Sequence, residues 1–159
     1  MRIKTGGNST YKNSKLTVGE WELGGSTVNL MEGTEVKVGT LTAKKVNNSA
    51  SSNIRLNSSS MTAENISYDA YSFCEFSLKN GSSLTVNGTF ENKGQVKVDG
   101  SDLSVNKFEN SGTLFITGES TVDGELSGQI DITKAYLSGK ITGNADAVVN
   151  TSKDTVYRK

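Results

Sequence analysis

The chain has 159 residues, 33% of them apolar, with 17 basic residues cancelling 17 acidic ones and with no His and no Pro. The length suits one domain, and the balanced charge removes the electrostatic footprint that a nucleic-acid binder needs. Without His, and with Cys74 alone, a His-based metal site, a Ser-His-Asp triad, a disulfide framework and a Cys-based cluster are all excluded.

No cofactor is implied. No apolar run approaches the ~20 residues of a membrane span, so no membrane insertion is expected in this segment, and the opening Met1-Arg-Ile-Lys-Thr-Gly-Gly7 lacks a signal-peptide core. A low apolar fraction also accompanies disorder, but disorder usually brings high net charge, and here apolar residues alternate regularly.

Residues 1–14 are polar, with Ile3 and Tyr11 as anchors, and are expected to form an N-terminal cap or frayed end. From Leu16 an apolar-x-apolar-x-x-apolar signature begins, as Leu16-Thr-Val18-Gly-Glu-Trp21, and returns as Leu41-Thr-Ala43-Lys-Lys-Val46, Met61-Thr-Ala63-Glu-Asn-Ile66 and Leu103-Ser-Val105-Asn-Lys-Phe108. Leu84 to Phe90 and Thr121 to Leu126 follow it with a slip, and Leu137-Ser-Gly-Lys-Ile141 shortens it. About seven coils result. Between them lie alternating pairs: Val36 and Val38, Ile54 and Leu56, Phe76 and Leu78, Val96 and Val98, Leu114 and Ile116, Ile130 and Ile132. A period of two puts each pair on one face of a strand, and Asn80-Gly81, Asn87-Gly88, Asp99-Gly100 and Asp123-Gly124 supply the turns.

The clearest repeat is Phe90-Glu-Asn-Lys-Gly94-Gln-Val96-Lys-Val98, which returns as Phe108-Glu-Asn-Ser-Gly112-Thr-Leu114-Phe-Ile116. A unit this short buries its apolar face against the next copy, and strands a coil apart must pair in parallel. The expected fold is all-β: a single-stranded parallel β-helix spanning 1–159 as one solenoid domain, with 145–159 as a C-terminal cap or linker. Turn lengths vary while strand faces do not, which favours the right-handed form. The spacing of equivalent faces is read as tightening from 25 residues (Leu16 to Leu41) to 18 (Leu103 to Thr121).

The stretch 110–122, Asn-Ser-Gly-Thr-Leu-Phe-Ile-Thr-Gly-Glu-Ser-Thr-Val, resembles the passenger β-helices of bacterial autotransporters and related surface adhesins, and the resemblance extends loosely over 16–142. It implies a structural or adhesive segment of a bacterial cell-surface or secreted protein that contacts a glycan or host-surface ligand and is not an enzyme. Residues 122–144 also resemble the bactofilin β-helix, which implies a polymer-forming cytoplasmic scaffold. A finite stack of parallel strands is expected to show end-to-end self-association where an end is left uncovered, and to stay monomeric where both ends are capped. The remaining alternative is a polysaccharide lyase or hydrolase, for which Asp99, Asp102 and Glu119, or Lys97 and Glu75, are the charged residues able to meet across coils.

Asn48, Asn92 and Asn110 share one place in the repeat and are expected to form a ladder of structural amides. Trp21 aligns with Val46, Ile66, Phe90 and Phe108, which places it in the core. The departure from the pattern is Ile66-Ser-Tyr-Asp-Ala-Tyr-Ser-Phe-Cys-Glu-Phe76, where four aromatics fall close together. Insertions on solenoids often carry binding. Tyr68 and Tyr71 are the binding candidates for sugar faces, with Asp69 accepting from a sugar hydroxyl; no catalytic or metal-ligating residue is nominated.

Overall fold

In a computed structural model, residues 2–45, 51–132, 135–138, 149–151 and 156–157 are described. Their strands are β1 (Arg2–Thr5), β2 (Asn8–Lys12), β3 (Lys15–Gly24), β4 (Thr27–Met31), β5 (Glu35–Lys44), β6 (Asn53–Asn57), β7 (Ser60–Tyr68) and β8 (Phe76–Lys79). They continue as β9 (Ser83–Asn92), β10 (Gln95–Asp99), β11 (Asp102–Thr117), β12 (Ser120–Ile132), β13 (Ala135–Ser138), β14 (Val149–Thr151) and β15 (Val156–Tyr157). Every pairing among them is parallel, and the whole is an all-β parallel solenoid of about six turns, against the seven coils expected.

Three ladders run the length of the stack. The first joins β1 to the second halves of β3, β5, β7 and β9 and to the middles of β11 and β12. The second joins β2, β4, β6, β8 and β10 to the ends of β11 and β12 and then to β14. The third joins the starts of β3, β5, β7, β9, β11 and β12 to β13 and β15. Long strands such as β11 serve all three, bending at a register shift between Val105 and Lys107 and again between Asn110 and Thr113.

Each ladder contributes buried apolar columns. Trp21, Leu41, Ile66, Phe90, Phe108 and Leu126 stack in the first, all buried, with Phe90 and Phe108 5.0 Å apart between ring centroids. Val28, Ile54, Phe76, Val96 and Leu114 stack in the second, and Val36, Met61, Leu84, Leu103 and Val122 in the third. Full burial of a side chain of this size contributes about 1.5–3 kcal/mol, so the columns hold the coils together.

The expected register is corrected at Leu103, which stands opposite Val122 and not Thr121, and more widely in the early coils. Leu16 sits opposite Val36, and Trp21 opposite Leu41. The counterpart of Leu16-Thr-Val18-Gly-Glu-Trp21 is therefore Val36-Lys-Val38-Gly-Thr-Leu41, and Val28 with Leu30, not Val36 with Val38, belongs to the second ladder. An apolar-x-apolar step occurs on every ladder, so that step alone does not tell one face from another. Coil length also does not decline steadily from the start: Leu16 and its partner Val36 lie 20 positions apart, Thr27 and Asn53 26, and Asn92 and Asn110 18. Trp21 is in the core, as expected; Val46 and Asn48 lie outside the described residues.

Residues 2–12 are not frayed. β1 and β2 pair with β3 and β4 as an ordinary coil whose outer edges meet no strand among the described residues. Of 145–159, only β14 and β15 are described, so the expected cap or linker there lies largely outside the described residues.

The turn from second to third ladder carries a column of hydroxyls. Backbone N–H groups of Ser59, Ser82 and Ser101 donate to the Oγ of Ser82, Ser101 and Ser120 in the next coil, each at 3.2 Å. Those hydroxyls donate in turn to carbonyls of their own turns: Lys79, Asp99 and Thr117 at 2.6, 3.0 and 2.7 Å. This column satisfies backbone donors that the turn would otherwise leave buried and unpaired.

Candidate functional site

The turn from first to second ladder is tight in the later coils, where Lys93-Gly94 and Ser111-Gly112 suffice. In the coil of β7 it widens to residues 69–75, which contact Lys45 and Ser51 of the coil before; residues 46–50 lie outside the described residues.

The ends of this segment are fixed. Asp69 N–H donates to the Ala43 carbonyl at 2.9 Å, Tyr71 N–H to Ser51 Oγ at 3.0 Å, and Glu75 N–H to Asn53 Oδ1 at 3.1 Å. Cys74 N–H donates to the Tyr71 carbonyl at 2.9 Å, closing a turn whose tip is Ser72 and Phe73. Ala70 and Cys74 point inward and are buried, and the Cys74 thiol lies 3.5 Å from the Ser51 carbonyl.

Tyr68 is a correction. The strand continues through it, so Ile66 and Tyr68 alternate into the interior and the insertion begins at Asp69. Its ring is 0% exposed, edge-on to Phe76 with centroids 5.6 Å apart, and its hydroxyl donates to the Ser52 carbonyl at 2.8 Å. Burial, with the nearby Cys74 and Glu75 adding to it, pushes the phenol far above its ordinary pKa. Tyr68 offers no face to a ligand; it is core.

The other two candidates remain at the surface. Asp69, half-buried, pairs with Lys45 Nζ at 3.4 Å. Tyr71, also half-buried, has Lys45 Nζ 4.8 Å from its ring centroid, and Phe73 stacks on it at 5.5 Å with planes 15° apart. Phe73 is 67% exposed, the one large hydrophobic side chain so exposed among the described residues. The four aromatics thus split into two in the core (Tyr68, Phe76) and two outside (Tyr71, Phe73). Sequence reading nominated Tyr68 and passed over Phe73; strand alternation carried one step further, through Tyr68, would have exchanged them.

At the end of the insertion, Glu75 does meet Lys97 across coils, at 3.0 Å, and its other oxygen lies 4.0 Å from Arg55 Nε. Lys97 Nζ is also 5.9 Å from the Phe115 ring centroid. Asp99 and Asp102 are not brought opposite one another. The register sets Asp99 against Lys79 and Thr117, and Asp102 against Ser83 and Thr121, while Glu119 is exposed in a turn. Elsewhere on the first ladder a shallow groove runs past Thr40, Thr42 and Lys44, where Arg2 holds Glu20 at 3.4 Å and Glu22 at 3.1 Å. Among the described residues no group of three or more Cys, Asp or Glu is placed to hold a metal ion.

No family model, curated protein or solved structure matches the chain.

Proposed function

We propose that the chain is a structural and adhesive β-solenoid segment of a bacterial cell-surface or secreted protein, of the autotransporter-passenger type, that contacts a glycan without turning it over. The observation that carries this reading is the Tyr71–Phe73 stack, with Phe73 exposed and Tyr71 half-buried, on an otherwise polar surface. A flat exposed ring offers an apolar face to the C–H side of a sugar, while the Tyr hydroxyl and the Lys45–Asp69 pair at its flank supply hydrogen-bonding groups. A shallow site of this size binds at about millimolar, so attachment depends on many copies at one surface.

The test is binding to a glycan array and to host cells, run beside an assay for new reducing ends or unsaturated products. Binding without product is expected, with loss of binding in the folded double variant Tyr71→Ala/Phe73→Ala. Product formation would move the chain to the polysaccharide-processing enzymes, and unchanged binding by the double variant would move adhesion away from this corner.

The outer edges of β1 and β2, which meet no strand among the described residues, favour a second property, stacking of one rod on another. Such edges present unpaired N–H and C=O groups to any parallel strand. Sedimentation at rising concentration should show association, and a strictly monomeric chain would remove this property.

A further inference from the structure

Resting on the glycan reading of the corner, we propose that the ligand is an anionic oligosaccharide held at two adjoining places: one sugar ring on Phe73 and Tyr71, and the carboxylate or sulfate of a neighbouring sugar between Lys97 and Arg55. The chain itself ties the two together. Glu75 lies two residues after Phe73, a span of at most about 7 Å, and it is Glu75 that draws both cations to that spot.

The charge at this spot does not balance. Arg55 and Lys97 bring two positive charges from the coils on either side, and the single carboxylate of Glu75 offsets one of them. Contact with Arg55 is long, at 4.0 Å, which leaves its guanidinium donors for a second acceptor. Both cations are about half exposed and Glu75 is 22% exposed, so an arriving anion meets them at the surface without burying an ion. Neighbouring residues do not oppose it: Ser77, directly between Arg55 and Lys97 in the register, is neutral. Asp69, the nearest carboxylate in the insertion besides Glu75, is held by Lys45.

Three probes of equal length separate the outcomes: an oligouronate, its carboxyl-reduced neutral counterpart, and a sulfated form of that neutral sugar. Titration calorimetry at low salt should show the oligouronate or the sulfated sugar binding about tenfold more tightly than the neutral one. The preference should fade as salt rises, since exposed charges are screened. Lys97→Gln and Arg55→Gln should bring the acidic sugar down to the neutral level and leave neutral binding unchanged. Glu75→Gln should act oppositely and tighten acidic binding severalfold, a gain that a merely structural role for Glu75 does not produce. Which acidic probe responds identifies the anion. Equal binding of acidic and neutral sugars, both lost in Phe73→Ala, would overturn the anionic place and leave the aromatic corner standing. No binding of any probe to folded protein would overturn both.

Discussion

The side-chain amide of Asn92 donates to Asn110 Oδ1 at 2.7 Å, one coil further on, and in the preceding coil the equivalent register position is held by Tyr68. A single column inside the solenoid thus changes from an aromatic ring to a polar ladder between adjacent coils. The change coincides with the turn: the ring of Tyr68 precedes the wide insertion 69–75, and where the turn is tight, after Asn92 and Asn110, the position is an amide that bonds the turn. Asn92 Oδ1 accepts from Gly94 N–H at 3.0 Å, and its Nδ2 also lies within 3.3 Å of the Gly94 carbonyl and 3.2 Å of the Thr113 carbonyl.

Asn92→Ala should therefore cost about 2–3 kcal/mol, since it strips partners from buried groups in two coils. Asn87 is the control: it is exposed and donates to Glu64 Oε1 at 2.8 Å, and its change to Ala should stay within about 0.5 kcal/mol. Urea unfolding midpoints measure both. Equal midpoints for the two variants would remove the ladder's structural role.

Tyr68 gives the stack a base-sensitive point. Its folded-state pKa is raised above the unfolded value of about 10, so the neutral phenol stabilises the fold fully below pH 10. Above pH 10 the unfolded chain ionises first, and that stability is lost as pH rises toward the folded value. Tyr68→Phe should lower stability by about 1 kcal/mol at neutral pH, because the Ser52 carbonyl loses its donor, and should flatten the decline above pH 10. Thermal unfolding at pH 7 and at pH 10.5 checks both signs; a variant whose decline matches wild type would show that Tyr68 ionises as readily folded as unfolded.

Much of this was legible in the sequence, and the failures have physical causes. Parallel coils, the aligned apolar columns and the Asn92–Asn110 ladder follow from side-chain alternation and from a repeat too short to form its own core. The slip at Leu41 arose because Val36-Lys-Val38 and Leu41-Thr-Ala43 carry the same two-residue period. What distinguishes them is the Gly-x step before Trp21 and Leu41, where the chain turns a corner: a Cβ on Gly39 would press on the Gly19 carbonyl oxygen at 2.5 Å. The Ser column was missed because Ser is abundant, and its signal is positional. Ser82 and Ser101 each follow a glycine in the left-handed region, Gly81 and Gly100. The partners of Glu75 were half legible, since Lys97 was paired with it from sequence and Arg55 was not.

Gly112 tests how tightly the narrow corner is closed. A Cβ there would collide with the backbone of Gly94, and Gly94 cannot retreat, because its own Cβ position is 2.9 Å from Tyr68 Cε1 and 3.0 Å from Ala70 Cβ. Gly112→Ala should cost about 1–3 kcal/mol as an overpacked contact. Gly6→Ala, with nothing within 4 Å of the added carbon, should be neutral or slightly stabilising. A differential scanning fluorimetry comparison suffices, and a Gly112→Ala melting temperature equal to wild type would mean that the coils separate more easily than their packing implies.

Ser82 sits at the middle of the hydroxyl column and is 0% exposed. Its Oγ accepts from Ser59 N–H at 3.2 Å and donates to the Lys79 carbonyl at 2.6 Å, so one atom ties its own turn shut and holds the preceding coil. Its own N–H donates to Ser101 Oγ, which passes the connection on. Ser82→Ala removes both bonds of the hydroxyl while adding no bulk, and should cost about 1–3 kcal/mol through the Ser59 N–H left buried without a side-chain acceptor. Ser82→Thr keeps the oxygen and should recover most of the loss, because Thr34 already fills this place in an earlier coil, its Oγ1 donating to the Met31 carbonyl at 2.8 Å. Hydrogen exchange locates the effect: in Ser82→Ala the Ser59 amide should exchange faster, while the Ser101 amide, held by Ser120, keeps its protection. If the Ser59 amide exchanges at the wild-type rate in a folded Ser82→Ala variant, the column is incidental to the turn, and the backbone alone holds this corner.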